Sequence, residues 1–253
     1  MLNKEVYTDY CKRFKMVWRY IQSVSKSPEK VISEICSLRG YEMERMYPIL
    51  KKHGFCYVEE KEKFDKLRKM GSDLALFSKE GNFLLAGRYI FPVYDMLGNV
   101  VALIGWYPDD KKYITTPSKL FSKGGMFFGM EQLGTTGIGK PYILVEGIFD
   151  CLSVRSLGLN CVAQMGIESS RYKEVLYTLF KSILAIPDND KQGIDVIVND
   201  KWKLPVSGKY MRWTSSIYFK DIDALCNSYA EEDVKELLLE VQRQKDRVVR
   251  VEL

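Results

Sequence analysis

The chain has 253 residues, 46% of them apolar and 28% charged, the balance of a soluble globular protein with a substantial core. The first thirty residues interleave charges with aromatics, and no apolar run approaches the roughly 20 residues needed to span a bilayer; this argues against a secretory signal or membrane span, and the chain reads as cytoplasmic. Lysine and arginine outnumber aspartate and glutamate by 38 to 33, a net charge of +5 that suits a polyanionic partner without by itself demanding one.

Residues 1 to about 70 carry apolar positions at helical spacing in "VWRYIQSV", "VISEICSL" and "MYPILKKHG", with Gly40 and Gly54 as stops. The single histidine, His53, falls at the end of the third of these helices and is expected to be a cation beside its cap. With one histidine, Ser-His-Asp and Cys-His catalysis have no support. From about 83 to 130 the pattern shifts to short strands. "RYIFPVYD" and "NVVALIGWY" are joined by "MLGN", whose Gly and Asn suit a hairpin turn. "GTTGIGKP" then reads as a linker, which divides the chain into an α+β region over 1–135 and a second region over 136–253.

Beyond the linker, strand-like and helix-like segments alternate: "YILVE", "FDCLSVRSLG", "LNCVAQMG", "SRYKEVLYTLF", "SILAIP", "KQGIDVIVND", "GKYMRWTSS" and an amphipathic helix around "EEDVKELLLEVQ". That alternation predicts an α/β unit with a mainly parallel sheet flanked by helices. The six cysteines are scattered with no C-x-x-C pair, so reduced structural thiols are expected rather than a disulfide framework or zinc ribbon.

Ligands of such sheets bind beyond the carboxyl ends of the strands. Glu146 ends the first strand of this region; Asp188 and Asp190 follow "SILAIP"; Asp221 and Asp223 repeat the D-x-D spacing in "YFKDIDAL"; Asp150 lies on the first helical turn after Glu146. Carboxylates gathered on one rim repel one another, and a divalent cation offsets that cost. Hard oxygen ligands with room for water and phosphate suit Mg²⁺ or Mn²⁺, and a pair of such ions clamps the attacking and leaving oxygens of phosphoryl transfer. Taken one at a time, the same residues also suit a loop, a helix cap and a strand terminus.

"YILVEGIFDCLSV" followed by "LAIPDNDKQG" resembles the Toprim domain of bacterial primases, topoisomerases, certain nucleases and RecR-type repair proteins, in which the glutamate and the Asp-x-Asp are the characteristic acids. Upstream, "AGRYIFPVYDMLGNVVALIGWYPDDKKYITTPSKLFSKGGMFFGMEQL" resembles the segment that precedes Toprim in DnaG-type primases. The resemblance implies a Toprim domain preceded by a smaller α+β subdomain. It implies a primase-like nucleotidyltransferase that makes RNA primers on single-stranded DNA from ribonucleoside triphosphates with Mg²⁺ or Mn²⁺. Glu146, Asp188 and Asp190 are then catalytic and metal-binding, Asp150, Asp221 and Asp223 supporting metal ligands, and Lys112, Lys123 and Arg88 contacts to nucleotide and nucleic acid.

Two rival readings of the acids stand beside it, a metal-dependent Toprim nuclease and a non-catalytic DNA-binding or replisome adaptor. The sequence departs from the primase pattern in three respects. It shows no candidate ligands for the family's zinc-binding module and no helicase-binding segment after Toprim, so a separate zinc-binding module or a replicative helicase becomes an expected partner. Where the family has an arginine after the hairpin glycine, it has Trp106, read either as a base-stacking platform or as a core tryptophan.

Overall fold

The computed structural model describes residues 4–59, 64–71, 74–109, 112–116, 125–166, 169–214 and 219–251. The chain divides into two compact units, Met1–Ser122 and Lys123–Leu253.

The first unit opens with helices α1 (Lys4–Val24), α2 (Pro28–Arg39) and α3 (Met43–His53). Ser27 caps α2 through the Lys30 N–H, with proline at the first helical position. Gly40 and Gly54 end α2 and α3 at positive φ, 68° and 88°, where a side chain would strain the backbone. A short helix α4 (Asp65–Met70) follows. The strands β1 (Cys56–Tyr57), β2 (Tyr89–Tyr94), β3 (Val100–Tyr107) and β4 (Lys112–Thr115) form an antiparallel sheet in that order. On α1, Phe14, Val17, Trp18 and Ile21 recur every three or four residues, and this stripe packs in one core with Ile90 and Leu103 of the sheet. Asp95 makes the hairpin turn, its Oδ1 accepting the Leu97 and Asn99 N–H groups at 2.8 Å each, while Gly98 takes the positive φ.

Two expectations resolve here. His53 ends α3 beside the Gly54 cap, as expected, but it is buried: its Nε2 is 3.0 Å from the Pro92 carbonyl oxygen, and its ring lies among Phe55, Phe91 and Tyr94. The turn of α3 that carries it faces the sheet, so the ring fills the core. Trp106 is likewise a core residue, buried beside Tyr89, rather than a platform for a base.

The second unit is built on the parallel strands β5 (Pro141–Val145), β6 (Cys161–Ala163), β7 (Ser182–Ile186), β8 (Lys209–Trp213) and β9 (Val248–Val251). Their order is β6-β5-β7-β8-β9, and all four ladders are parallel. The inner strands β5 and β7 are runs of buried aliphatic residues, as expected for a sheet covered on both faces. The helices are α5 (Glu131–Thr136), α6 (Ile148–Ser156), α7 (Arg171–Leu176), α8 (Lys191–Val198), α9 (Ile222–Ser228) and α10 (Glu231–Arg243). "KQGIDVIVND" thus supplies a helix, and "RVVRV" supplies an edge strand that its charges concealed.

The unit boundary lies earlier than the one the glycines of "GTTGIGKP" suggested, because Gly134–Thr136 end α5 and the stretch before α5 is tied to the second sheet. Phe128 exchanges backbone hydrogen bonds with Ala163 at 3.0 Å. The Arg155 guanidinium of α6 bonds Glu131 Oε1 at 2.7 Å and the carbonyls of Gly129 and Cys161 at 2.6 and 3.1 Å. All six cysteines are free thiols, as expected. Among the described residues no helix is long and apolar enough to cross a membrane.

Candidate metal centre

The connectivity of the second sheet dictates where a ligand can enter. From β5 the chain crosses to β6 on one side, then returns past β5 to β7 and continues through β8 to β9 on the other. The connections leaving β5 and β7 therefore diverge, and a crevice opens beyond the carboxyl ends of these two neighbours. Glu146 follows β5 directly; Asp188 and Asp190 follow β7. Acids far apart in sequence are delivered to one edge by strand order alone.

Glu146 is half-buried, and its Oε2 is buried with no hydrogen-bond partner among the described residues. Gly147 follows because of a close approach: Asp150 Oδ2 stands where a Cβ on residue 147 would project, and it accepts the Gly147 N–H at 3.0 Å, closing the first turn of α6. The other Asp150 oxygen accepts the Asp223 N–H at 3.2 Å. Asp223 Oδ1 in turn accepts the Ser153 hydroxyl. Asp150 and Asp223 are 8% and 4% exposed, and these two acids form a buried brace joining the starts of α6 and α9.

The second loop is held as tightly. Asp190 caps α8, its Oδ1 accepting the Gln192 and Gly193 N–H groups at 2.9 Å each. Asn189 donates its backbone N–H to the Lys220 carbonyl and its Nδ2 to the Phe219 carbonyl, tying this loop to the one after β8. Asp221 caps α9 through the Ala224 N–H at 2.8 Å. Lys220, which the sequence reading passed over, places Nζ 3.8 Å from Asp188 Oδ2. Its side chain is 69% exposed, so the pair contributes little stability. A lysine directly before the last D-x-D was the available signal.

Electrostatics show what the rim lacks. Burial first, then the charges of Glu146, Asp221 and Asp190, push the Asp188 carboxyl up to about 7, with Lys220 opposing. Glu146 is also raised, by burial and by Asp190, against the Asp188 backbone N–H and Lys220. Asp150 lies well above the ordinary carboxylate range, through burial and then Asp221, Asp223 and Asp188. Among the described residues no three such groups form a ready-made metal cage. The donor set nonetheless fits a hard divalent cation: carboxylate oxygens that repel one another, with a buried Glu146 Oε2 lacking any donor.

The three basic residues lie elsewhere in the chain. Lys123 falls outside the described residues. Lys112 is exposed on β4, opposite Tyr107 of β3. Arg88 precedes β2; its stem passes so close to Gly105 that a Cβ there would come within 2.8 Å of it, and its guanidinium stands 5.4 Å from the centre of the Tyr107 ring. Tyr107 thus has the Arg88 guanidinium near its ring and Lys112 as its partner across the β3–β4 ladder.

The Toprim-like family description matches residues 143–226, the stretch that carries Glu146, Asp150, Asp188, Asp190, Asp221 and Asp223. These residues form a Toprim-like domain. The DNA primase of Clostridium acetobutylicum is 35% identical over 111 residues, which are 42% of this chain and 19% of that protein. The chain therefore aligns with only about a fifth of this curated relative's length. Among solved structures, the DnaG catalytic core superposes with a TM-score of 0.74 at 15% identity, covering 91% of this chain and 79% of that one. A DnaG primase catalytic domain bound to single-stranded DNA gives 0.73 at 16% identity, covering 94% and 80%. The chain has the fold of a DnaG-type catalytic core.

Proposed function

We propose that the chain is the catalytic core of a primase-like nucleotidyltransferase, which extends an RNA primer on a single-stranded DNA template from ribonucleoside triphosphates. The observation that carries this reading is the delivery of Glu146, Asp188 and Asp190 to the crevice between β5 and β7 in a Toprim-like domain, in a chain whose curated relative is a DNA primase. Glu146, Asp188 and Asp190 would hold Mg²⁺ or Mn²⁺, with Asp221 supporting them across the Asn189 tie. Asp150 and Asp223 hold the rim in shape. The bound ion supplies Lewis-acid stabilisation of the phosphate oxygens. The Glu146 carboxylate, whose proton affinity is raised by burial and by Asp190, accepts the proton of the primer 3′-hydroxyl as that oxygen bonds to the α-phosphorus and pyrophosphate leaves.

Primer extension with labelled ribonucleotides on a single-stranded DNA template tests the reading. Elongation that requires Mg²⁺ or Mn²⁺ supports it; metal-dependent shortening of the strand, with no elongation in any condition, replaces it with the nuclease reading. Metal binding with neither outcome would leave an adaptor.

Arg88, Lys112 and Lys123 contact phosphates in this account. Lys112→Ala is expected to weaken single-strand binding for all sequences alike and to flatten its salt dependence by about 0.7 in slope, the loss of one phosphate contact. Fluorescence anisotropy at several salt concentrations measures this, and an unchanged slope returns Lys112 to the solvated surface.

A further inference from the structure

Lys173, on α7, is 1% exposed. No carboxylate pairs with it among the described residues. Its ammonium donates to the Gln164 carbonyl oxygen and lies 5.2 Å from the centre of the buried Phe127 ring. Burial alone pulls it down to about 7. Enclosing an amine with one carbonyl and one ring for company is unfavourable, and an unbranched apolar side chain would occupy the same space at lower cost. Fold stability therefore gives no reason for a lysine here.

The carbonyl it holds does give one. Gln164 lies just past β6, and its N–H bonds the Val145 carbonyl at 2.8 Å, extending the ladder to the last residue of β5. The N–H of the same Gln164–Met165 peptide, that of Met165, donates to the Glu146 carbonyl oxygen at 3.0 Å, and Met165 then turns into the left-handed region at φ 58°, a conformation unfavourable for a side chain of this kind. Glu146 stands beyond the end of its strand, and this turn supports its backbone from the neighbouring strand. The Lys173 bond is made to the peptide that enters the turn.

We infer that Lys173 is a positioning residue for Glu146: through the Gln164 carbonyl it holds the strained 164–165 turn, and the turn holds the backbone of Glu146 at the mouth of the crevice. The influence runs through backbone geometry, by way of the Gln164–Met165 peptide. The inference rests on the metal-centre reading above.

Mn²⁺ binding by the full chain, followed by electron paramagnetic resonance of the free ion, tests it without reference to turnover. Thermal melting in EDTA is run in parallel on wild type, Lys173→Met, Lys173→Arg and, as a metal-site control, Asp188→Asn. Methionine keeps the volume and removes the donor, so Lys173→Met should melt no lower than wild type, while its Mn²⁺ dissociation constant rises about tenfold or more, the usual effect of losing a support behind a ligand. Lys173→Arg, which restores a donor, should recover most of the affinity. Lys173→Met with Mn²⁺ affinity within about twofold of wild type overturns the inference, because supporting contacts behind a ligand carry tenfold effects. Marked loss of melting temperature in Lys173→Met also overturns it, since the lysine would then serve the fold. If wild type and Asp188→Asn bind Mn²⁺ equally, it is the metal-centre reading that fails.

Discussion

Asp188→Asn is expected to abolish metal-dependent nucleotide incorporation while making the metal-free protein more stable at pH 8. Activity falls because a principal ligand carboxylate is lost. Stability rises because the folded chain without metal must ionise Asp188 against burial and the charges of Glu146, Asp221 and Asp190, which hold its carboxyl at about 7, up from an ordinary value of 3.8. Between these values the folded state keeps a proton that the unfolded state has released. Wild-type stability in EDTA therefore declines as pH rises from about 4 to about 7 and levels off above, with about 2–3 kcal/mol lost between pH 5 and pH 7. Asparagine carries no proton to lose, so the variant lacks this part of the slope. Urea unfolding in EDTA at pH 5, 6, 7 and 8 measures it. A variant no more stable than wild type at pH 8, with the same pH dependence, would show that Asp188 stands in no such field.

Gly193→Ala is expected to be severely destabilising and to eliminate Mn²⁺ binding. A Cβ at residue 193 would fall on the Asp188 carbonyl oxygen and lie 2.8 Å from its carbon and 3.0 Å from its nitrogen, all backbone atoms that cannot rotate away. The same glycine donates its N–H to Asp190 Oδ1, so displacing it moves both acids of the D-x-D loop. Such overpacking costs about 3 kcal/mol or more. Gly166→Ala is the control. A Cβ there meets nothing within 4 Å, and the change should shift stability by less than about 0.5 kcal/mol. Denaturation of the three proteins, paired with Mn²⁺ titration, decides the matter. Equal stability and binding in Gly193→Ala would mean that the loop can relax around a methyl group.

Much of this arrangement was legible in the sequence because it follows from period and order. Aliphatic runs marked β5 and β7, and a glutamate or an Asp-x-Asp directly after each marked the rim. The hairpin of β2 and β3 was marked by its two short apolar runs and by the Gly98 and Asn99 of the turn between them. What escaped depends on contacts between distant residues. Glycines over 134–139 read as a linker, yet the Arg155 guanidinium and the Phe128–Ala163 pairing assign the stretch before them to the second unit. Arg247 and Arg250 hid the strand character of β9, although Val249 and Val251 are buried. Spacing places Asp150 one helical turn after Glu146, but the bond it accepts from the Asp223 N–H, on another helix, is a contact no spacing reveals. Lys173 carried no local signal, since nothing in "SRYKEVLY" distinguishes a buried lysine from a solvated one.

The claim on which the account depends is that Glu146, Asp188 and Asp190 hold a divalent cation at the divergence of β5 and β7. Anomalous diffraction from a crystal soaked in Mn²⁺ tests it most directly. The account predicts a peak within bonding distance of carboxylate oxygens of Glu146 and of the Asp188–Asp190 loop, absent in an Asp188→Asn crystal treated in the same way. Manganese bound only at other positions, with this crevice empty in the wild type, would contradict it.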